Sequence, residues 1–287
     1  MSLGNTGPVR GVLPLVVALL LGACSEQPAG EALVEVKLGS ARSVGSAAAP
    51  TPTAPASAEA SACREVRFEE VPLTHCIADP ALHRIAMANL GPDRQPYGSL
   101  AAFAANVDPA TIAFAMNGGI YGDDLRAIGY YVENGERLKE LDRGEGEGNF
   151  YMKPNGVFFG SGGKWQVLGS NTFFNTVSER PEFGTQSGPL LVVEGKLHPE
   201  IQDNGPSRAI RNGVGVDARG RAHFVISNAP ISFGQLARYF RDEIKAANAL
   251  YLDGQVSSLW DPASGRMDKG RVGPIIVVMK RQERAAP

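Results

Sequence analysis

The 287-residue sequence has few of the cysteines and histidines that bind zinc, and its basic residues do not outnumber its acidic ones. It contains three cysteines and four histidines, and its net charge is −2. Neither residue type shows the spacing of zinc ligands, so we expect no zinc site. The near-neutral charge offers no basic footprint, so we expect no nucleic-acid partner.

A cofactor motif is lacking as well. Asp123 and Asp124 could take part in binding a divalent cation such as Ca²⁺, but the spacing of an EF-hand loop is absent around them. A Gly-Asp-Asp turn is usually only a solvated loop. We therefore expect no cofactor and no metal, with Ca²⁺ as the open alternative.

Long apolar runs are also scarce. The run near the N-terminus, Val12 to Leu21, is shorter than the roughly 20 residues of a membrane-spanning helix. Arg10 precedes it and the small residues Gly22 and Ala23 follow it, which is typical of a signal peptide. We predict a signal peptide over residues 1–23.

The end of this segment, Leu21-Gly22-Ala23-Cys24, resembles a bacterial lipobox. That resemblance implies lipidation of Cys24 and a membrane partner reached through the lipid. Ser25 then favours the outer membrane, so we expect a lipid-anchored protein of the bacterial cell envelope that faces the periplasm. The alternative is a secretory peptide cleaved near Ala23.

Large apolar side chains remain rare over residues 24–62, where Ala, Pro, Ser and Thr dominate. Such a segment cannot bury enough surface to offset the entropy of ordering, so we predict a flexible tether. Residues 63–287 fit one domain. Its two cysteines, Cys63 and Cys76, are expected to pair in an exported protein, with two unpaired buried thiols as the alternative.

Hairpin signals dominate residues 63–287. Asn134-Gly135 and Glu194-Gly195 each lie between two extended segments, and further turns fall near residues 161–163 and 217–220. These signals predict successive antiparallel strand pairs.

Two predicted helices each lead into a short apolar run. One helix covers Ser99 to Asn106, and the other starts at Ser232, which matches a capping box with Gln235. The runs that follow are Thr111 to Met116 and Ala249 to Leu252. Because both runs are apolar on both faces, we predict two central strands.

Both apolar runs end in a polar residue followed by glycine, Asn117-Gly118 and Asp253-Gly254. A small residue at a strand end lets a ligand approach the backbone closely. In open α/β sheets, ligand crevices lie beyond such strand ends. Taken alone, Asn117 and Asp253 are better explained as simple turn caps, a role in which Asn and Asp are common.

Five segments, taken in order, resemble the phosphodiester glycosidase family. They are AMNGGIYGDD, GEGNFYMKPNGVFF, TQSGPLLVVEGKLHP, AIRNGVGVD and YLDGQVSS. The positions that match the family pattern are Asn117, Gly118, Gly119, Tyr121, Gly188, Pro189, Arg211, Gly213, Gly215, Leu252, Asp253, Gly254 and Ser257. Gln255 departs from it, since a second glycine is often found there.

The resemblance implies a fold and a substrate. The expected fold is α/β (α+β): a mixed, largely antiparallel central sheet with flanking helices in a single domain. The expected activity is removal of a sugar from a phosphoglycan or another sugar-1-phosphodiester. The alternative is a non-catalytic glycan-binding or structural lipoprotein on the same fold.

The reaction requires a cradle for phosphate and a carboxylate near the sugar. We expect Asp253 to act as base or nucleophile and Arg211, whose guanidinium fork suits phosphate oxygens, to anchor the phosphate. Asn117 and Ser257 would hydrogen-bond sugar hydroxyls. The remaining expected substrate-binding residues are Gly118, Gly119, Tyr121, Gly188 and Gly254, with backbone N–H groups of Gly118, Gly119 and Gly188 facing the phosphate.

Competing interpretations concern single residues. Arg211 could be a surface or salt-bridging arginine, and Arg208 is more often structural or exposed. Asp123, Asp124 and Glu133 are alternative carboxylates. Ser187 does not lie in a G-x-S-x-G elbow, so a Ser-His-Asp hydrolase is the third choice. Convergence of Asp253, Arg211 and Asn117 on one pocket would favour catalysis over the binding alternative.

Overall fold

A computed structural model describes residues 60–254 and 256–281 of the chain. The predicted signal peptide, the predicted lipidation site Cys24 and most of the predicted tether lie outside the described residues, as does Gln255. In the described part, no helix combines the length and the apolar character needed to cross a membrane.

Seventeen strands form three sheets within the described residues, and every strand pair in them is antiparallel. Sheet I has the order β1 (Cys63–Phe68), β2 (Val71–Ala78), β13 (Ala222–Ser227), β12 (Asn212–Val216), β14 (Ala249–Tyr251), β10 (Leu190–Val193), β11 (Lys196–Leu197). Sheet II has the order β16 (Arg266–Met267), β15 (Leu259–Asp261), β4 (Ile112–Asn117), β17 (Ile275–Lys280), β3 (His83–Ala88). Sheet III has the order β6 (Glu136–Lys139), β5 (Tyr131–Glu133), β9 (Phe183–Ser187), β7 (Gly156–Ser161), β8 (Lys164–Gly169).

One face of each sheet contributes to a shared hydrophobic core. Phe224 of sheet I lies 5.3 Å from Phe114 of sheet II and 5.7 Å from Phe158 of sheet III, measured between ring centroids. All three rings are fully buried. These edge-to-face contacts add to the burial of about 150–250 Å² per aromatic side chain, so the core fixes the three sheets around one centre.

A short helix covers the outer face of each sheet. Helix α1 (Leu100–Ala104) packs on sheet II, α2 (Ser170–Thr176) on sheet III, and α3 (Phe233–Arg238) on sheet I. Helix α3 continues as a π-helical turn over Tyr239–Glu243. Short 3₁₀ turns cover Pro109–Thr111 and Asn149–Tyr151.

The structure confirms three predictions made from the sequence: a hairpin turn, a capping box and a disulfide. Asn134 and Gly135 adopt φ angles of 52° and 76° between β5 and β6, as a type I′ hairpin turn requires. Ser232 and Gln235 form both hydrogen bonds of the predicted capping box. The predicted Cys63–Cys76 disulfide is present across β1 and β2.

The predicted antiparallel pairing is confirmed, but the prediction of one mixed central sheet is wrong, and the flanking helices are few and short. About 40% of the described residues are in strands and 13% in helices, and the strands are divided over three separate sheets. A parallel pair needs a crossover of a dozen or more residues, usually a helix. The three α-helices have only five to seven residues, too few for such crossovers. The two predicted central strands, β4 and β14, are interior strands of different sheets.

A buried hydrogen-bond chain joins sheet I to its covering helix. His223 Nε2 lies 3.0 Å from Asp217 Oδ2, and His223 Nδ1 lies 2.8 Å from His75 Nε2. Tyr239 Oη lies 2.9 Å from His75 Nδ1. The carboxylate accepts, so His223 donates to Asp217. Burial lowers the pKa of both imidazoles and so favours their neutral forms, in which His75 donates to His223 and Tyr239 donates to His75.

Because of this buried hydrogen-bond chain, we expect the folded protein to lose stability at acid pH. Burial, reinforced by His223, Arg64 and Arg221, lowers the pKa of His75 from 6.5 to about 3. Burial also lowers the pKa of His223, against the opposite effect of Asp217. Below about pH 6.5 the histidines are protonated in the unfolded chain but remain neutral in the folded chain. The free energy of unfolding therefore falls as the pH drops from about 6.5 towards 3.

The loss from His75 alone should be about 2 kcal/mol of unfolding free energy between pH 7.5 and pH 5. Urea unfolding followed by tryptophan fluorescence at both pH values measures it. His75→Gln, which cannot be protonated, should show a smaller loss over the same interval. Equal losses in the two proteins would contradict this assignment.

Candidate active site

A cavity of about 480 Å³ lies where segments from all three sheets approach each other. Its walls come from the residues after β14, the residues before β12, the residues after β4, and the loop between β6 and β7. Asp253, Gly254, Arg211 and Tyr121 all line it. The structure thus brings together four predicted site residues that are up to 133 positions apart in the chain.

Arg211 forms the inner wall of this cavity. The side chain is buried, and its guanidinium stacks over the Phe233 ring at 3.7 Å from the ring centroid. Nε donates to Ile231 O at 3.0 Å, Nη1 to Tyr251 Oη at 3.3 Å, and Nη2 to Ser207 Oγ at 3.0 Å. These acceptors are neutral and fix the fork in one orientation, so a cation is presented rigidly to the cavity. The surface-arginine alternative is wrong.

Arg208, three residues earlier, is exposed, and its Nη1 donates to Gln235 Oε1. It is therefore a peripheral group, as the sequence suggested.

Asp253 occupies the segment just after β14. Its backbone N–H donates to Asn212 Oδ1 at 3.0 Å, and its carbonyl accepts from Ser257 Oγ at 2.5 Å. These bonds hold the backbone of the residue, while the residue itself is half-buried and lines the cavity. The carboxylate is therefore held on a rigid strand end beside the cavity that Arg211 also lines.

Two phenols flank Asp253 and remain protonated at neutral pH. Burial raises the pKa of Tyr251 to about 12; Arg211 opposes this shift and the charge of Asp253 adds to it. Burial, followed by the charge of Asp253, also raises the pKa of Tyr121, against the effect of Arg271. Both phenols therefore stay neutral. Tyr251 can donate a hydrogen bond to an anionic ligand, whereas Tyr121 Oη already donates to Arg271 O at 2.8 Å.

Asn117 lies beneath the cavity and does not line it. Its side chain is buried, and its Oδ1 accepts from Asn212 Nδ2 at 2.6 Å and from Ser258 N at 2.9 Å. Asn212 in turn holds the Asp253 backbone. The expected contact between Asn117 and a sugar hydroxyl is corrected to a positioning role: Asn117 ties β4 of sheet II to β12 of sheet I and to the segment that carries Asp253.

The expected cradle of glycine N–H groups is not formed. Gly118 N donates to Pro274 O at 2.6 Å, and Gly119 N donates to Thr185 Oγ1 at 3.0 Å. Gly188 is buried against Phe150 O, which a Cβ would approach to 2.6 Å. These three glycines permit close backbone packing, and none of them lines the cavity.

Two further expected substrate-binding residues have different outcomes. Gly254 lines the cavity, and a Cβ there would collide with Tyr251 Oη, so this position needs glycine to keep the phenol beside Arg211. Ser257 does not line the cavity. Its hydroxyl bonds the Asp253 carbonyl instead, which stabilises the turn rather than a sugar.

Sequence reasoning missed several residues that the fold brings to this place. Asn212 holds Asp253, Tyr251 contacts Arg211, and Glu147 lies on the cavity wall. Asn212 stands between Arg211 and Gly213, both of which were noticed, and this adjacency was the available signal. Glu147 had no signal, because an acid in a glycine-rich loop is usually solvated.

A metal site finds no support within the described residues, which contain no group of three or more His, Cys, Asp or Glu side chains able to hold an ion. Asp124 Oδ1 accepts from Arg126 N at 3.0 Å and Asp123 O accepts from Arg271 Nη2 at 3.4 Å, so this pair shapes a turn. The expectation about cofactors stays a prediction.

Both the sequence and the fold of this chain are similar to those of known proteins. Residues 110–278 match the family model described as phosphodiester glycosidase. The chain is 34% identical to the Escherichia coli (strain K12) uncharacterized protein YigE over 183 residues, which cover 63% of this chain and 71% of that one.

The fold is also similar to the zebrafish N-acetylglucosamine-1-phosphodiester alpha-N-acetylglucosaminidase catalytic domain auto-inhibited by its pro-peptide. The TM-score is 0.52 at 12% identity, over 76% of this chain and 82% of that one. This likeness shows a shared fold.

Proposed function

Because the chain belongs to the phosphodiester glycosidase family, we propose that it hydrolyses a sugar-1-phosphodiester and releases the sugar. The observation that carries the proposal is that Asp253 and Arg211 line one cavity of about 480 Å³. A carboxylate and a fixed guanidinium on the same cavity match the two requirements of the reaction, a group acting at the sugar and an anchor for phosphate.

In this reaction Arg211 binds the phosphate oxygens and stabilises the charge that grows on them as the bond to the sugar breaks. Its stacking on Phe233 and its bonds to Ile231 and Ser207 are in place before substrate arrives, so little reorganisation is needed. The protonated phenol of Tyr251 is a second donor beside it. A phosphate monoester is already a good leaving group, so strong general acid catalysis is unnecessary.

Asp253 acts on the other side of the breaking bond. As a nucleophile it would attack the anomeric carbon and form a glycosyl intermediate that water then hydrolyses. As a base it would remove a proton from water attacking the same carbon. In both cases the sugar gains the hydroxyl group of water and the phosphate leaves on the second product.

The proposed setting is the bacterial cell envelope. Lipidation at Cys24 and a tether over residues 24–62 would place the domain on the periplasmic side of the outer membrane, within reach of phosphate-linked envelope glycans. These points follow from the N-terminal sequence pattern.

A panel assay tests the proposal. The purified protein is incubated with phosphodiesters of several sugars attached through their anomeric oxygen, and free reducing sugar is measured over time. We expect release from at least one member, with no release from the same sugars as O-methyl glycosides. Absence of release across all sugars, combined with measurable binding, would support the glycan-binding alternative.

A further inference from the structure

The loop between β6 and β7 forms one wall of the cavity and carries a second carboxylate. Glu147 of this loop lines the same cavity as Asp253 and Arg211. Glu145, two residues earlier, lines a different cavity that also contains Arg143 and Lys153. The loop therefore presents one acid to each of two cavities, and only Glu147 faces the candidate active site.

The loop is anchored on both sides of Glu147. Before it, Gln186 Oε1 accepts from Asp142 N at 2.9 Å and Gln186 Nε2 donates to Asp142 O at 2.6 Å. After it, Phe150 is buried and its carbonyl accepts from Asn155 Nδ2 at 2.8 Å. These contacts fix the two ends of the loop, and Glu147, which is itself exposed, lines the cavity between them.

The charged side chains that line the cavity are one cation and two carboxylates among the described residues, namely Arg211, Asp253 and Glu147. Arg271 lies at the edge, beside Tyr121; it is exposed and donates from Nη2 to Asp123 O. The lining groups of the cavity therefore carry more negative than positive charge, although its proposed ligand is an anion.

This excess distinguishes a substrate from a product. A phosphodiester carries one negative charge at neutral pH. Hydrolysis converts it to a phosphomonoester, whose second ionisation near pH 6 raises the charge to about −1.5 to −2 at pH 7. A phosphomonoester is formed whether the anomeric C–O bond or a P–O bond breaks. Each additional ligand charge increases the repulsion from a fixed carboxylate, since Coulomb energy is proportional to charge.

We propose that Glu147 makes the cavity selective for singly charged phosphodiesters over doubly charged phosphomonoesters, and so promotes release of the phosphorylated product. The inference rests on the proposed function. Arg211 attracts both ligands, and this attraction also grows with ligand charge. The two carboxylates, Glu147 and Asp253, together repel the added charge more than the single cation attracts it, so Glu147 decides the sign of the discrimination. Glu147 is a specificity-determining residue in this role.

Calorimetric titration of Glu147→Gln tests the inference, in an Asp253→Asn background that prevents turnover. The probes are N-acetylglucosamine 1-phosphate, its methyl phosphodiester, methyl phosphate and dimethyl phosphate. At pH 8 the substitution should tighten binding of the monoesters about tenfold and of the diesters only about threefold. At pH 5, where a monoester carries about one charge, the two factors should become equal.

Glu145→Gln is the matched control, because it removes the same charge from the same loop on the side of the other cavity. It should change no affinity by more than about twofold. Equal factors for monoester and diester at pH 8, the same effect from Glu145→Gln, or no binding of any probe would overturn the inference. Charge-dependent binding of the methyl phosphates without sugar release from any phosphodiester would contradict the proposed function and the role in product release, while the charge selectivity assigned to Glu147 would remain.

Discussion

Asp253→Asn should lower kcat/KM for a sugar-1-phosphodiester by about 10³- to 10⁴-fold, a range seen when an essential catalytic carboxylate becomes an amide. The amide cannot form the glycosyl intermediate and cannot take a proton from water. The backbone bonds to Asn212 and Ser257 do not involve the carboxylate, so they persist. Initial rates with the best substrate of the phosphodiester panel measure the loss of kcat/KM, and a thermal melt checks that the fold is intact.

Asp123→Asn is the control for this substitution. Asp123 lies two residues after Tyr121, and its carbonyl accepts from Arg271 at the edge of the site. The same change of carboxylate to amide there should leave kcat/KM within about twofold. If Asp123→Asn abolishes turnover and Asp253→Asn does not, the carboxylate has been assigned to the wrong residue.

Arg211→Lys should lower kcat/KM by about 10²- to 10³-fold, comparable to removing one preorganised donor from a charge-stabilising site. Lysine keeps the positive charge but has no planar fork. It cannot donate at once to Ile231 O, Tyr251 Oη and Ser207 Oγ, and it loses the stacking geometry on Phe233. Steady-state kinetics on the phosphodiester measures the loss.

A stability loss of about 1–3 kcal/mol should accompany this change, because buried acceptors lose their donor. Denaturant unfolding gives that value, and assays well below the melting temperature separate it from the kinetic effect. Arg208→Lys is the matched control: this exposed arginine contacts Gln235, and both activity and stability should stay near wild type. Retention of more than half of the activity by Arg211→Lys would exclude Arg211 as the phosphate anchor.

Local features of the fold follow from the sequence. The Asn134-Gly135 turn and the Ser232 capping box depend on residues only a few positions apart, and both formed as predicted. Interior strands such as β4 could also be predicted, because their residues are apolar on both faces. The assignment of strands to three sheets was not readable, because hydrogen-bonded partners such as β2 and β13 lie about 150 residues apart.

The residues of the candidate site also fall into those that the sequence identified correctly and those whose role it did not show. Asp253 and Arg211 were found because strand ends and the family pattern marked them. Asn117 was marked by the same signals, yet its amide is used internally by Asn212 and Ser258. A sequence shows that a polar residue follows a strand, but it does not show whether the side chain turns towards solvent or towards a neighbouring strand.

The sequence by itself determined the turns, the caps, the antiparallel hairpins and the identity of one acid and one cation worth testing. Only the tertiary structure decided that Asp253, Arg211, Tyr251 and Glu147 share a cavity, while Asn117 and Ser257 support it from behind. The physical reason is the difference in sequence separation between the interacting residues. Backbone conformation and capping depend on neighbours within one turn, whereas a cavity is formed by segments that only the packing of three sheets around a common core brings together.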